Sequence, residues 1–548
     1  MPLTNSAIEL TESSLAHLEE DRVAPSLIPS PNRATWRRPE LVAVALAILA
    51  GLRILIFSAA FPLLNPIDER LHLMTIQLYA RGTLPGSELP HIDASIARRL
   101  LLYWSPEYNH TQQDLAHERV TGPLYALSHE DQEKRLAESF YVSRLQQWID
   151  RADYEAQSAP VYYLTAAAWY RLGAALGLHD WALDYWPRAL NPIAYGILVW
   201  FSFCFVRVIY PQDAFLQFAV PALVAVFPQD VFYGMNRDVF SAPLTAASLL
   251  AMARSVKDVR NGPLFLILSS FLAGLSFLSN VSNVVLFGAV AITVGFCLNE
   301  LRAPIGRTVS VLASCIVAAG ALPGIWMLRN YVVIGDLTGG RAKAHDLGWT
   351  VKPLNQMFNH PLFSLSGLRY FVLELTRRFW RGEYVWHDVP MNSPLADRIY
   401  LISTAVFVSA FVIAFLLRQN KLSRVHKLFG VLSLFLVASS VLFLAVISLP
   451  FDFHGCAYPS RVLPYFVSGR IISGAILPFV LIYASGLTIV VNIFRRSVSP
   501  GALLTCLISF IVVVEIRIRS VVFASPYNFY ALAGWHHHTI LAILGITG

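Results

Sequence analysis

Long apolar segments alternate with polar segments along most of the chain, and each apolar segment has roughly the length of a bilayer crossing. A helix needs about 20 apolar residues to cross the hydrocarbon core of a membrane. The apolar segments lie at 41–64, 189–210, 213–234, 239–253, 263–280, 281–298, 308–328, 399–417, 428–450, 471–493 and 502–522. The pattern predicts an all-α polytopic membrane protein, with about 11–13 transmembrane helices and surface helices in a large first outer loop.

The composition agrees with a membrane protein and narrows the choice of partners. Of the 548 residues, 55% are hydrophobic and 14% are charged, whereas roughly a quarter of the residues of a soluble domain are charged. The net charge of +7 comes mostly from short loops between apolar segments, where basic residues set orientation, so we expect no nucleic-acid partner. The five cysteines form no CxxC pair, so we expect neither a disulfide framework nor a zinc site.

Clusters of basic residues predict how the chain is oriented in the membrane. These clusters lie at 254–260, 302–307, 418–427 and 495–496. They share a side with the N-terminal arginines only if the segment 160–178 does not span, so the positive-inside rule favours a surface helix there and a cytoplasmic N-terminus. The loops 65–188, 331–398 and 451–470 then lie on the non-cytoplasmic face.

The same pattern divides the chain into four regions. Residues 1–38 are polar and proline-containing, which is typical of a disordered cytoplasmic tail. Residues 39–330 form a transmembrane module that includes the loop 65–188. Residues 331–398 form a second outer loop, and residues 399–548 contain the C-terminal transmembrane helices.

One stretch directly after the first apolar segment combines helix signals with ionisable residues. It reads NPIDERLHLMTIQLYARGTLP, from Asn65 to Pro85. Asn followed by Pro is a favourable helix start, and a polar stripe that includes Asp68 and His72 lies beside an apolar stripe. We expect a helix on the membrane surface, with its carboxylates facing a cavity that the outer loops enclose.

Asp68 has two interpretations from residue types alone. A carboxylate three residues after an N-cap stabilises a helix start, and His72 one turn further on can bond to it. Alternatively, Asp68 takes a proton from an attacking hydroxyl group, while Glu69 or His72 holds a metal, orients Asp68 or positions the acceptor.

The P-x-D-E-x-x-H pattern, followed by a helix that ends in R-G-T-L-P, resembles the first outer loop of the GT-C class of membrane glycosyltransferases. Protein O-mannosyltransferases and aminoarabinose transferases belong to this class, and uncharacterised bacterial members share the D-E-x-x-H form most closely. Further similar motifs follow in the family's order. They are SAPVYYLTAAAWYRLG (158–173), NRDVF (236–240), WMLRNYVVIGDL (326–337) and RVLPYFVSGR (461–470).

This resemblance implies an inverting enzyme without a covalent intermediate. The enzyme would move a sugar from a polyprenyl-phosphate carrier to a glycan, lipid or protein acceptor, at the outer face of a bacterial inner (plasma) membrane. Asp68 is implied as the general base, with Glu69 in support. The implied substrate-binding residues are His72, Tyr162, Tyr163, Asp238, Arg329, Arg461 and Arg470.

Several of these residues have structural alternatives. Asp238 is a helix N-cap, a metal ligand or a second acid of the site. Arg329 is a lipid anchor or a substrate contact. Arg461 and Arg470 compete for the carrier's phosphate, which an arginine can clamp with a forked pair of hydrogen bonds. A divalent cation such as Mg²⁺ or Mn²⁺ is the candidate cofactor, although the sequence offers no ligand set for it.

Two functions of other classes remain open at this point. A transporter or flippase of a lipid-linked glycan would carry ionisable residues within the membrane, and Glu515, Arg517 and Arg519 form one such cluster. A non-catalytic membrane scaffold is the second alternative. The enzyme hypothesis predicts that Asp68, Asp238 and at least one of the three candidate arginines line one cavity.

Overall fold

The structure is a computed structural model that describes residues 38–535 except 121, 259, 302–303, 457 and 494–498. The fold is 75% helical. The tail predicted at residues 1–38 lies outside the described residues, apart from residue 38.

The helices and strands are short in the loops and long in the apolar segments. The α-helices are α1 Pro39–Ala60, α2 Glu69–Ala80, α3 Ala94–Tyr103, α4 Gln112–His117, α5 His129–Leu136, α6 Ser139–Asp150, α7 Val161–Ala175, α8 Asp180–Tyr185, α9 Leu190–Ile209, α10 Ala214–Ala225, α11 Ser241–Lys257, α12 Gly262–Phe277, α13 Val285–Leu301, α14 Ile305–Ile334, α15 Gly340–Asp346, α16 Leu354–Met357, α17 Leu365–Arg381, α18 Pro394–Arg418, α19 Arg424–Ser448, α20 Ile476–Ile493, α21 Pro500–Arg519 and α22 Phe529–Leu532. The strands are β1 Thr350–Val351, β2 Val385–Trp386, β3 Val389–Pro390 and β4 Phe451–Asp452.

Nine helical segments of the described chain are long and apolar enough to cross a membrane. These segments contain α1, α8–α9, α11, α13, α14, α18, α19, α20 and α21–α22. Two further apolar helices, α10 and α12, have only 12 and 16 residues. α10 ends early because Pro228 disfavours helical backbone before it. The chain is a polytopic all-α membrane protein. Its described residues contain nine full-length candidate spans and two shorter apolar helices where the predicted spans 213–234 and 263–280 lie.

The bundle is built around α20, and the first helix packs at its side. Of the most apolar 18 residues in the segment that contains α20, 89% are buried. The corresponding share is 17% in the segments that contain α14 and α21–α22. α1 and α9 approach closely at two glycines. A Cβ on Gly51 would lie 3.1 Å from the Pro192 carbonyl oxygen, and one on Gly196 would lie 3.2 Å from that of Ala47. Small residues permit this close backbone contact between membrane helices.

A buried polar network joins the first and last spanning segments. Arg53 of α1 donates to Glu515 of α21 at 2.5 Å, and Arg519 pairs with the same carboxylate from one turn further along α21, as the spacing of the two residues predicts. The Tyr233 hydroxyl group also donates to Glu515. Every charged group of this network has a partner of opposite charge. The network therefore fixes the helix positions without leaving a buried charge unpaired.

The loops at one end of the bundle fold onto one another. α2 is not a surface helix as predicted, because its side chains are buried from Glu69 to Gln77. α7, within the segment 160–178, packs against α2, and its Arg171 donates to the Ala80 carbonyl group. β1 pairs antiparallel with β4 and thereby joins the second loop to the third.

Candidate functional site

Three loops at one end of the bundle enclose a cavity of about 1360 Å³. The first loop contributes the residues around Asp68 and one face of α6. The second loop contributes parts of α15 and α17 and the β2–β3 turn, and the third loop contributes residues from His454 to Arg470. The loops that the sequence assigns to one side of the membrane therefore build one chamber together.

Asp68 lies in this cavity and does not cap the helix behind it. The residue occupies the N-cap position of α2, but its backbone is left-handed, with φ of 59°, and its side chain makes no capping hydrogen bond. Instead the Tyr154 hydroxyl group donates to its Oδ1 at 2.7 Å, and Arg470 Nη2 lies 3.6 Å from its Oδ2. The capping interpretation of Asp68 is wrong, because left-handed backbone turns the carboxylate into the cavity.

The helix was expected to start at Pro66, and the structure shows why it starts three residues later. The Asn65 side chain accepts a hydrogen bond from the backbone N–H of Ile67 at 2.9 Å. This closes a short side-chain turn, which is a common alternative to N-capping for asparagine. The turn from Asn65 to Asp68 separates the first span from α2 and exposes Asp68 to the cavity.

Nearby cations keep Asp68 ionised. Burial opposes the charge on this carboxyl group, but the ammonium group of Lys343 and the guanidinium group of Arg470 outweigh burial and lower its pKa below the ordinary value. Burial and the charge of Asp68 in turn raise the pKa of the Tyr154 hydroxyl group, so this group stays a hydrogen-bond donor. The site presents a carboxylate with one firm hydrogen bond and one looser ion pair.

Arg470 lies between two aspartates, one in the cavity and one below it. Its Nη1 donates to Asp238 Oδ2 at 2.8 Å, and Asn280 donates to the other oxygen of Asp238. Asp238 is 1% exposed and does not line the cavity. The prediction that Asp68, Asp238 and an arginine line one cavity is therefore met by Asp68 and Arg470 but is wrong for Asp238. Asn236 caps the local turn in its place. The N-cap interpretation of Asp238 is therefore wrong, and its side chain fixes the arginine that faces Asp68.

The other two candidate arginines lie elsewhere. Arg461 is exposed and pairs with Asp452, with Nη2–Oδ2 at 2.9 Å. Arg329 donates to the Pro85 carbonyl group and to Asn330. Neither Arg461 nor Arg329 lines the cavity. Of the three arginines that the sequence offered, the structure brings only Arg470 to Asp68.

Glu69 is next to Asp68 in sequence but faces away from the cavity. Arg188 grips its carboxylate with two hydrogen bonds of 2.7 Å. The Met235 N–H at 2.8 Å, and the backbone and side-chain N–H groups of Asn65 at 2.9 and 2.8 Å, complete its surroundings. Glu69 is 0% exposed, so the structure contradicts a catalytic place for it and gives it a structural one.

The predicted substrate contacts His72, Tyr162 and Tyr163 are buried behind the cavity wall. The His72 ring nitrogen Nδ1 lies 2.7 Å from the Tyr163 hydroxyl group, which donates to Glu155 at 3.1 Å. Burial lowers the pKa of His72. The ring is thus neutral and supports Glu155 instead of binding Asp68 or a substrate. Tyr162 packs edge-on against Phe240.

No family model, curated protein or solved structure matches the chain.

Three residues of the site were missed by sequence reasoning. They are Tyr154, Glu155 and Lys343. Lys343 Nζ lies 3.0 Å from Glu155 and 4.6 Å from the centre of the Tyr154 ring. Glu155 also pairs with Arg237 at 3.1 Å. The only sequence signal was the D-Y-E stretch, Asp153–Glu155, just before α7. It has no periodicity that marks a site.

The residues around Asp68 do not suit a metal ion. Its nearest partners are Tyr154, Arg470 and Lys343, which all donate hydrogen bonds or carry positive charge. Mg²⁺ and Mn²⁺ take oxygen ligands. Within the part of the chain that the structure describes, no three histidine, cysteine, aspartate or glutamate side chains are grouped to hold a metal. The described residues around Asp68 therefore do not fit the divalent cation that was the candidate cofactor.

Proposed function

We propose that this protein is a membrane glycosyltransferase that moves a sugar from a polyprenyl-phosphate carrier to an acceptor hydroxyl group. The observation that carries the proposal is the Asp68–Arg470 pair in the cavity, with the two groups 3.6 Å apart. A carboxylate beside a guanidinium group, in a chamber at one end of a membrane bundle, fits a lipid-borne sugar donor and a hydroxyl acceptor.

In the proposed reaction, the acceptor oxygen attacks the anomeric carbon and its proton passes to Asp68. The bond between that carbon and the phosphate oxygen breaks, and polyprenyl phosphate leaves. Arg470 and Lys343 offset the negative charge that develops on the leaving phosphate. Attack opposite the leaving group inverts the anomeric carbon, so no covalent bond to the protein is needed.

Binding of the donor would also prepare Asp68 for its role. In the free protein, Lys343 and Arg470 lower the pKa of Asp68, although burial opposes them, and a carboxylate of low pKa is a weak base. A phosphate bound to these cations offsets their charge. The pKa of Asp68 then rises, so the carboxylate becomes a stronger base only when the donor is in place.

An apolar groove of about 540 Å³ supports the lipid part of the proposal. It lies between α9, α11 and α12, and Arg254 is the only charged residue among the described residues that line it. One of its lining residues, Phe240, follows Asp238 by two positions. We place the isoprenoid chain of the carrier along this groove, with its phosphate near Arg470.

The transporter alternative gains less support from the structure. The ionisable residues Glu515 and Arg519 bond to each other, to Arg53 and to backbone carbonyl groups. A relay or substrate path needs polar groups that are free to exchange partners. The arrangement of these residues favours a structural role.

The test is a deletion strain complemented with wild type, Asp68→Asn or Asp388→Asn at matched protein levels. Asp388 is an exposed aspartate that also lines the cavity, which makes it a matched control. We expect wild type and Asp388→Asn to restore one surface glycan or glycolipid, and Asp68→Asn to leave it missing by mass spectrometry. Restoration by Asp68→Asn would refute the general base and favour a carrier or a scaffold.

A further inference from the structure

One wall of the cavity carries a row of arginines and indole rings, separate from Arg470. Arg144 and Trp148 are one turn apart on α6, Arg151 directly follows the end of that helix, and all three line the cavity. Residues four apart share one face of a helix. Arg70 and Trp104 line the cavity with them.

Each arginine of this row is held by an aromatic ring. The Arg70 guanidinium lies 5.7 Å from the centre of the Trp148 ring, and that of Arg144 lies 4.8 Å from the Trp104 ring. Arg151 lies 5.5 Å from the Tyr154 ring and donates to its hydroxyl group at 3.1 Å. Ring faces fix the direction of a guanidinium group but offset little of its charge.

Acidic partners are scarce along this wall. Among the described residues, no carboxylate oxygen lies within 4.0 Å of the Arg70 or Arg144 guanidinium. Arg151 has one, Asp346, at 4.0 Å. Asp150 lines the same wall but accepts from Gln146 at 2.7 Å. The positive charges of Arg70 and Arg144 are therefore largely uncompensated within the protein, whereas Tyr154, Asp68 and Asp346 outweigh burial and raise the pKa of Arg151.

This uncompensated charge is costly because part of the row is buried. Arg70 is 8% exposed, and its polar contact is the sulfur of Met74 at 3.3 Å. Burial and the charge of Arg151 lower the pKa of Arg70 to about 10. Burial and the Arg144 charge likewise lower the pKa of His110, which lies 3.1 Å from Arg144. A buried cation without a counter-charge lowers the stability of the fold. A bound anion would supply that counter-charge and restore the stability.

We propose that this row binds an anionic saccharide, and that it is the acceptor subsite of the proposed transferase. The arginines would take a phosphate or carboxylate group of the acceptor, and the indole rings of Trp104 and Trp148 would contact its sugar ring. Tyr154 connects the row to the reacting carboxylate, because its hydroxyl group accepts from Arg151 and donates to Asp68. The role as acceptor subsite rests on the proposed function, whereas binding of the anion does not.

The test is a titration of purified protein in phosphatidylcholine nanodiscs, followed by ligand-observed NMR. The probes are glucose 6-phosphate, glucuronate and glucose, at constant ionic strength. We expect both anionic sugars to bind at least about tenfold more tightly than glucose, since a hydrogen bond to a charged group contributes about 1.5–3 kcal/mol. A preference for only one of the two would identify the acceptor's group as phosphate or carboxylate.

Variants separate this subsite from the reacting centre. Arg144→Gln, on a half-buried side chain, should weaken the anionic sugars about tenfold, and Arg70→Gln should act in the same direction. Arg98→Gln is the matched control, because Arg98 lies on the same loop, pairs with Glu133 and does not line the cavity. Equal affinity for glucose and the anionic sugars, or unchanged affinity in Arg144→Gln, would overturn the subsite.

Asp68→Asn distinguishes the two proposals. If this variant binds anionic sugars and has lost transfer, both proposals stand. If it binds them and transfer is unaffected, the general base is refuted while the anion site remains. If sugar transfer depends on Asp68 but charge on the sugar makes no difference to binding, the subsite is refuted and the transferase remains.

Discussion

Asp68 and Glu69 are adjacent carboxylates, but changing each to its amide should affect a different property. Glu69→Gln should lower the stability of the fold, whereas Asp68→Asn should abolish the proposed transfer and leave stability almost unchanged. Glu69 accepts five hydrogen bonds, two of them from Arg188, and is fully buried. In Glu69→Gln, one accepting oxygen becomes an NH₂ group that faces donors. Arg188 then keeps its bonds to backbone carbonyl groups such as that of Phe61 but loses its counter-charge.

The cost of this change can be estimated from the contacts. Removing one partner of a buried ion pair costs about 3–5 kcal/mol, because the other charge stays buried without compensation. Asp68→Asn exchanges a partly exposed carboxylate with one hydrogen bond and one ion pair at 3.6 Å. Its cost in stability should be about 1 kcal/mol or less, although it should abolish the proposed transfer.

The assay is thermal unfolding of the two variants in detergent, followed by intrinsic fluorescence. We expect Glu69→Gln to lower Tm by several degrees or to fail to accumulate, and Asp68→Asn to melt close to wild type. Arg188→Gln combined with Glu69→Gln should cost less than the sum of the single changes, because the pair is removed together. A Glu69→Gln variant that is as stable as wild type but inactive would refute the structural assignment of Glu69.

Three changes in the loops have outcomes that the electrostatics determine. Burial opposes the lowered pKa of Asp68, and Lys343 is the strongest charge that lowers it. Lys343→Met should therefore raise this pKa and move the acid limb of the kcat/KM profile to higher pH, and an unmoved limb would contradict this. Arg470→Lys keeps the charge but loses the forked geometry, so kcat/KM should fall about tenfold or more, whereas Arg461→Lys should behave as wild type, and equal effects of the two would favour Arg461 again. Burial raises the pKa of Asp153 to about 8, above about 3.9 in the unfolded chain, so folded protein loses stability as pH rises between these values. The Tm advantage of Asp153→Asn over wild type should therefore grow as pH rises from about 5 to about 8, and a shrinking advantage would show that Asp153 is ionised in the fold.

The membrane architecture could be predicted because its cause is local. Each apolar segment must satisfy its own backbone hydrogen bonds, so segment length and composition are enough to predict a helix. Helical spacing also accounts for the pairing of Glu515 with Arg519, which are one helical turn apart. The length of the apolar segment overestimated α10, where Pro228 ends the helix and a polar turn follows.

The site could be predicted only in part because its partners are far apart in sequence. Arg470 and Asp238 are separated by 232 positions, and Lys343 and Glu155 by 188. No period along the chain records such pairs. Asp68 and Glu69 have similar side chains and neighbouring positions, and only the backbone turn at Asp68 decides which one faces the cavity.

The polar network between the first and last spanning segments has a consequence for biosynthesis. Arg53 bonds to Glu515, which is 462 positions later in the chain. At about 5–20 residues per second, the ribosome needs about 20–90 s to supply that partner. Until then the first helix must hold an arginine in the bilayer that costs about 2.5–3.5 kcal/mol to insert. Its insertion rests on the surrounding apolar residues, and a chain truncated before Glu515 would keep an arginine in the membrane without its carboxylate partner.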